Sequence, residues 1–126
     1  MRITFRATNG GFRADEYALV CGLIGVDADG AVHYLNFQQL PEGTAADQDA
    51  GVYIEYDDQI NGEHGRVRQC RLSRDLLSVD LSQQLGTLVG VDGFDIAMAI
   101  DDLTYEQIRT GLSRIFRDDS GLLLTA

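Results

Sequence analysis

The chain contains no tryptophan and no lysine, one proline and two cysteines in 126 residues. Cys21 and Cys70 each sit in an apolar, strand-like segment, too few for a disulfide framework, so buried reduced thiols are expected. No apolar run approaches the ~20 residues that a membrane-spanning helix needs. The opening Met1-Arg2-Ile3-Thr4-Phe5-Arg6 lacks the apolar core and small-residue cleavage site of a secretory signal. These absences predict a soluble cytoplasmic protein. All ten basic residues are arginine, a compositional bias with no functional reading.

Motifs that announce chemistry are missing as well. There is no GxGxxG, Walker or GxSxG pattern, and His33, His64 and the two cysteines form no CxxC or HxxxH spacing. A calcium loop begun at Asp57 would place Arg68 at position twelve, where a bidentate glutamate is required, and Gln59 is a weak third ligand. Asp27 and Asp29 read as turn residues bonding local backbone. Surface carboxylate pairs such as Glu55 with Asp57 far outnumber catalytic ones. No catalytic residue, metal site or cofactor is therefore expected.

The longest absence is of positive charge. Residues 14–65 hold no arginine or lysine but eleven carboxylates: Asp15, Glu16, Asp27, Asp29, Glu42, Asp47, Asp49, Glu55, Asp57, Asp58 and Glu63. The first thirteen residues carry three arginines and no acid, and from Arg66 onward seven arginines face nine acids. Nearly all of the net charge of −10 thus comes from one stretch. Such a field repels nucleic acid and anionic membrane and draws a basic surface or a cation. Tyr, Val and Ile are interleaved with the acids, and 44% of the chain is hydrophobic, so the stretch is no disordered tail. Arg66, Arg68, Arg71 and Arg74 lie on one strand and read as partners for those acids rather than as a phosphate site.

Period-two alternation dominates the pattern. Ile3, Phe5 and Ala7 mark a first strand. Tyr17 to Val26, apolar on both faces, reads as a central one. Asp29-Gly30 turns it into a third, Val32 to Leu40, with Leu35 and Phe37 inward and His33 outward. Pro41 to Ala50 reads as a polar loop or one helical turn. Val52, Ile54 and Tyr56 alternate with Tyr53 and Glu55 in a fourth strand, and Asp57 to Gly65 reads as a loop. Further strands are expected at Arg66 to Leu72, Leu76 to Leu81 and Phe94 to Ile100, with Gln83 to Gly90 a short helix or a loop. Tyr105, Ile108, Leu112, Ile115 and Phe116 then share one face of a helix, with Thr104 and Gln107 at capping-box spacing. One α+β domain over residues 1–126 follows, an antiparallel, largely meander sheet with a C-terminal amphipathic helix packed on a face.

The stretch GVYIEYDDQINGEHGRVRQCRLSRDLLSVDL, Gly51 to Leu81, resembles the middle of the immunity-protein-10 family of bacterial polymorphic toxin systems. That family's short, acidic, single-domain members open with a strand like Met1 to Ala7 and close with a helix like Tyr105 to Phe116. One departure is visible: the resemblance implies an aromatic residue before Gly65, in a Tyr-Gly-Gly-like turn, where this chain has Glu63-His64-Gly65-Arg66. The resemblance implies a protein that neutralises a cognate toxin encoded alongside by binding it, with no catalytic residues. Charge agrees, because a nuclease toxin's basic cleft is a natural seat for an acidic inhibitor.

The expected partner is accordingly a basic toxin domain, with no nucleic acid and no membrane. Glu55, Asp57, Asp58, Glu63 and His64 are the expected binding residues, with Tyr53 or Tyr56 as aromatic anchor. The acidic stretch is expected to form one continuous surface. Two rival readings remain: a structural homo-oligomer, such as a homodimer, formed through paired sheet edges, and a small ligand-binding domain.

Overall fold

The alternating segments become strands that join into one sheet. The computed structural model describes residues 1–44 and 51–126. Its strands are β1 (Arg2–Ala14), β2 (Leu19–Val26), β3 (Val32–Gln39), β4 (Tyr53–Tyr56), β5 (Asp58–His64), β6 (Val67–Leu72), β7 (Leu76–Leu81), β8 (Gly93–Met98) and β9 (Leu123–Thr125). A helix, α1 (Asp102–Ile115), and a 3₁₀ segment, Arg117–Leu122, precede the last strand. The order across the sheet is β5-β4-β3-β2-β1-β8-β7-β6-β9.

Local hairpins make β1 to β5 an antiparallel meander, and β6 to β8 a second one. The two are sewn together by parallel pairing of β1 with β8, and β9 adds to β6 in parallel. The sheet is therefore mixed, which corrects the antiparallel expectation. Adjacent strands joined by tight turns must be antiparallel, but the β1·β8 pair joins distant segments and leaves no local signature.

Three further segments differ from the pattern. Asp57 to Gly65 is mostly strand β5 rather than loop. β1 runs on past the expected Ile3 to Ala7 alternation, through a bulge between Ala7 and Asn9, as far as Ala14. Residues 83–90 form turns rather than a helix, and they lean on β5 where Thr87 N–H and Oγ1 both donate to Asn61 Oδ1 at 2.9 Å. Of the expected loop from Pro41 to Ala50, residues 45–50 lie outside the described residues.

One face of the sheet carries the core. Leu19, Cys21, Leu23, Leu35, Phe37, Ile54, Phe94 and Ile96 all point to it and are buried. The sheet curls strongly around that core. Tyr56 on β4 and Phe94 on β8 would lie about 19 Å apart across a flat sheet, with four strand spacings between them. Their ring centroids are instead 5.2 Å apart.

Helix α1 closes the inner face over β1, β2 and β3. Asp101 Oδ1 accepts from Thr104 N–H at 2.7 Å, so the N-cap is Asp101 rather than the Thr104–Gln107 box. Ile108, Leu112 and Ile115 are fully buried, and Phe116 packs on Phe37 with centroids 6.0 Å apart. Both cysteines are free and buried, and burial pushes the Cys21 thiol up to about 12. Among the described residues, no helix is long and apolar enough to cross a membrane.

Candidate functional site

The helix leaves the outer face of β2 to β5 uncovered, and strand register arranges that face in rows. One row reads Gly22, Asn36, Glu55, Gly62, and beside it runs Val20, Gln38, Tyr53, His64. On the other side lie Ile24 and Tyr34. Three expected binding residues, Tyr53, Glu55 and His64, are thus brought together here by alternation along β4 and β5.

Glu55 is the centre of this face. Tyr34 Oη donates to Glu55 Oε2 and Tyr53 Oη donates to Oε1 at 2.7 Å, so each carboxylate oxygen has its own phenol. The residue is only 8% exposed although it points away from the core. The carboxylate pushes the Tyr34 phenol up to about 12, and burial followed by Glu55 does the same to Tyr53, keeping both hydroxyls as donors. Gly62 makes the arrangement fit, because any side chain there would collide with the Tyr53 hydroxyl. The Tyr53 ring also meets His64 at 5.2 Å between centroids. His64 thereby places its ring beside Tyr53, immediately before Gly65. Beyond Tyr53 an open groove of about 300 Å³ is lined by Tyr17, Gln38, Leu40, Tyr53 and His64.

The other expected residues fall elsewhere. Tyr56 faces inward, 7% exposed, among Phe5, His33 and Phe94, so of the two candidate anchors only Tyr53 reaches solvent. Asp58 and Glu63 are exposed along the edge strand β5. Asp57 sits at φ 60, the one non-glycine residue with positive φ among the described residues, and its carboxylate organises the turn. It accepts Tyr34 N–H at 2.9 Å on Oδ1 and His33 Nδ1–H at 2.6 Å on Oδ2.

His33 does not face outward as expected. It shares the inward parity of Leu35 and Phe37 at the sheet's rim, where its Nε2–H also donates to Asp27 Oδ2 at 2.7 Å. With a carboxylate on each nitrogen, first Asp27 and then Asp57, the imidazolium is favoured and its pKa rises above 6.5. Asp27 is lowered in turn by His33 and by the Ala31 N–H. This bridge pins the β2–β3 turn to the β4–β5 turn.

Hairpin connectivity sets most of the described acids of the stretch at the two ends of the half-sheet. Successive turns of a meander lie at alternate ends of the sheet. Asp27, Asp29, Asp57 and Asp58 gather at one end, while Asp15, Glu16 and Glu63 lie at the other, with Glu55 between on the outer face. Asp47 and Asp49, the other acids of the expected continuous surface besides Glu42, lie outside the described residues.

The four arginines of residues 66–74 do not neutralise the described acids of the stretch. Arg71 pairs with Asp80 at 3.1 Å and Arg74 with Asp102 at 3.0 Å. Arg66 Nη1 reaches the His64 carbonyl, and Arg68 lies 3.9 Å from Asp80. Among the described acids of the stretch, only Glu42 has an arginine, Arg114 at 2.9 Å, which holds its carboxyl down at about 2.

Sequence reasoning missed Tyr34, Tyr17 and the His33 bridge. Alternation alone places Tyr34 opposite in parity to Leu35, but only the β3·β4 register sets it beside Glu55. The fold and this face define a sheet protein sealed on one side by a helix and open to solvent on the other half of its outer surface. Residues 6–106 match the family described as Immunity protein 10, and the chain belongs to that family. No curated protein and no solved structure matches it.

Proposed function

We propose that residues 1–126 form a single non-catalytic immunity domain that binds a cognate, basic toxin domain in the cytoplasm and blocks it by occupancy. The observation that best supports this is the open outer face of β2 to β5, where Tyr53, Glu55 and His64 converge with no arginine or lysine between residues 14 and 65. Family membership supports the role, and the charge supports a basic partner. Tyr53 is the aromatic anchor, and Asp58 and Glu63 steer the encounter from the edge strand.

Asp57 is unsuitable as a test position because it caps Tyr34 and holds His33. The test therefore pairs Asp58→Asn with Glu63→Gln, and co-expresses the variant with the toxin domain encoded alongside. Cell survival and association kinetics are followed across a salt series. A reduced association rate with a weaker salt dependence is expected, at nearly unchanged thermal stability. Unchanged, salt-independent association would move the binding face elsewhere. The sheet's edge position of β5 favours a second reading, self-association through that edge, which would appear as a mass that rises with concentration.

A further inference from the structure

We propose that the open face is built to receive an arginine of the partner, its guanidinium seated on the Glu55 carboxylate between Tyr34 and Tyr53. This deepens the toxin-binding reading and, as to the partner, rests on it.

Charge leads to the occupant. Glu55 is 8% exposed and accepts two hydroxyls, yet no cationic side chain pairs with it among the described residues. Removing an ionised carboxylate from water is unfavourable unless a counter-charge accompanies it. Elsewhere on this sheet that counter-charge is present, since Asp80 is met by Arg2 at 2.7 Å and Arg71 at 3.1 Å. At Glu55 the described residues supply none. Arg13 stands on the neighbouring row three strands from Tyr53, and Arg66 turns to the His64 carbonyl.

Geometry then selects arginine over lysine. Each Glu55 oxygen spends one acceptor site on a tyrosine and keeps another, which leaves two parallel acceptors for a guanidinium fork. A phenol stands on each carboxylate oxygen, and a planar cation gains from aromatic neighbours. A lysine ammonium, a compact point charge, is drawn to both but offers neither the planar fork nor planar stacking. The hydroxyls already fix the carboxylate, so little ordering is left for the binding step. The groove beyond Tyr53, with Tyr17 75% exposed at its rim, gives apolar contact to the residues flanking that arginine.

The first measurement titrates arginine amide, and separately lysine amide, into the protein while following the Tyr34 and Tyr53 ring signals by NMR. Saturable shifts with a millimolar Kd are expected for arginine amide, about fivefold or more tighter than for lysine amide, and lost in Glu55→Gln. Equal response to both amides, or an unchanged response in Glu55→Gln, overturns the assignment. Tyr53→Phe, which removes one of the two donors, is the second variant should Glu55→Gln fail to fold. An intermediate loss is expected from it, and wild-type binding would count against the site.

The second measurement takes the toxin domain encoded alongside, against wild type and Glu55→Gln. A dissociation rate raised about tenfold or more by Glu55→Gln is expected. Equal rates overturn the arginine seat and leave toxin binding standing. A toxin that wild type does not bind, with arginine amide still saturating, would instead overturn the toxin reading alone.

Discussion

On the outer surface of β1, β8, β7 and β6, Arg2 lies across Gly93 and reaches both Asp80 and Asp95, while Arg71 shares Asp80 and Ser78. On the outer surface of β2 to β5, Tyr53 lies across Gly62 in the same way but ends on Glu55 beside Tyr34. Both halves use a glycine to let a long side chain cross to a carboxylate. In the first half a cation arrives, and the network is complete within the chain. Burial alone would raise Asp80, yet Arg2 and Arg71 hold it below the ordinary carboxylate range, and Arg2 does the same for Asp95. In the second half only neutral donors arrive. The same sheet geometry thus yields one surface that satisfies itself and one whose charge is left to be met from outside.

The largest expected effect tests the face opposite. If the helix seals the inner side under β2 and β3, Phe116→Ala should cost about 3–5 kcal/mol in denaturant unfolding. A loss below about 1 kcal/mol would mean the inner side is as open as the outer, and the contrast between halves would lose its meaning. Next, Arg2→Met should cost about 2 kcal/mol by leaving Asp95 without a cation and Asp80 with Arg71 in place of two close ones, while Glu55→Gln should cost about 1 kcal/mol or less because no cation is left behind. Equal losses would show that the carboxylates of the two halves are compensated alike.

The smallest effect concerns pH at the rim of the open half. His33 is raised above 6.5 by Asp27 and Asp57, so its contribution to stability is full below about pH 6.5 and fades as pH rises through its folded value. Asp27 is lowered below 3.8, so its contribution holds above that value and is lost as pH falls through its folded one. Urea midpoints should therefore fall from pH 6 to alkaline pH in wild type and stay flatter in His33→Gln. A flat wild-type profile would remove the bridge from the description of that end.

Much of this was legible in the residues, and the remainder has a common cause. Strands Val67–Leu72 and Leu76–Leu81 and the apolar face of α1 follow directly from periodicity. β5 was hidden because Asp58-Gln59 and Asn61-Gly62 are turn-like, and its pairing with β4 is what makes it a strand. β9 is only three residues long and exists by virtue of β6. The site divides similarly. Alternation put Tyr53 and Glu55 on one face, but Tyr34 and His64 joined them through cross-strand register. Tyr56 shares the parity of Val52 and Ile54, which marks it as inward, so alternation alone already separates it from Tyr53 as an anchor. Asp57 read as a steering charge, whereas its two hydrogen bonds and positive φ make it part of the turn.

The parallel seam between β1 and β8 also sets a timetable for synthesis. β1 pairs on one side with β2 almost at once, but its other edge waits for residues 93–98. At roughly 5–20 residues per second, the ribosome needs about 4–15 s to deliver the chain between Val26 and Met98. Throughout that interval the nascent meander has no helix over its apolar side and a bare backbone edge along Arg2 to Ala7. Few contacts reward folding before the distant strand arrives, so completion is a late, concerted event. A truncated or stalled chain would expose that edge, and expression at low temperature or with holdase chaperones should raise the yield of native protein more than any change to the solvent-facing residues.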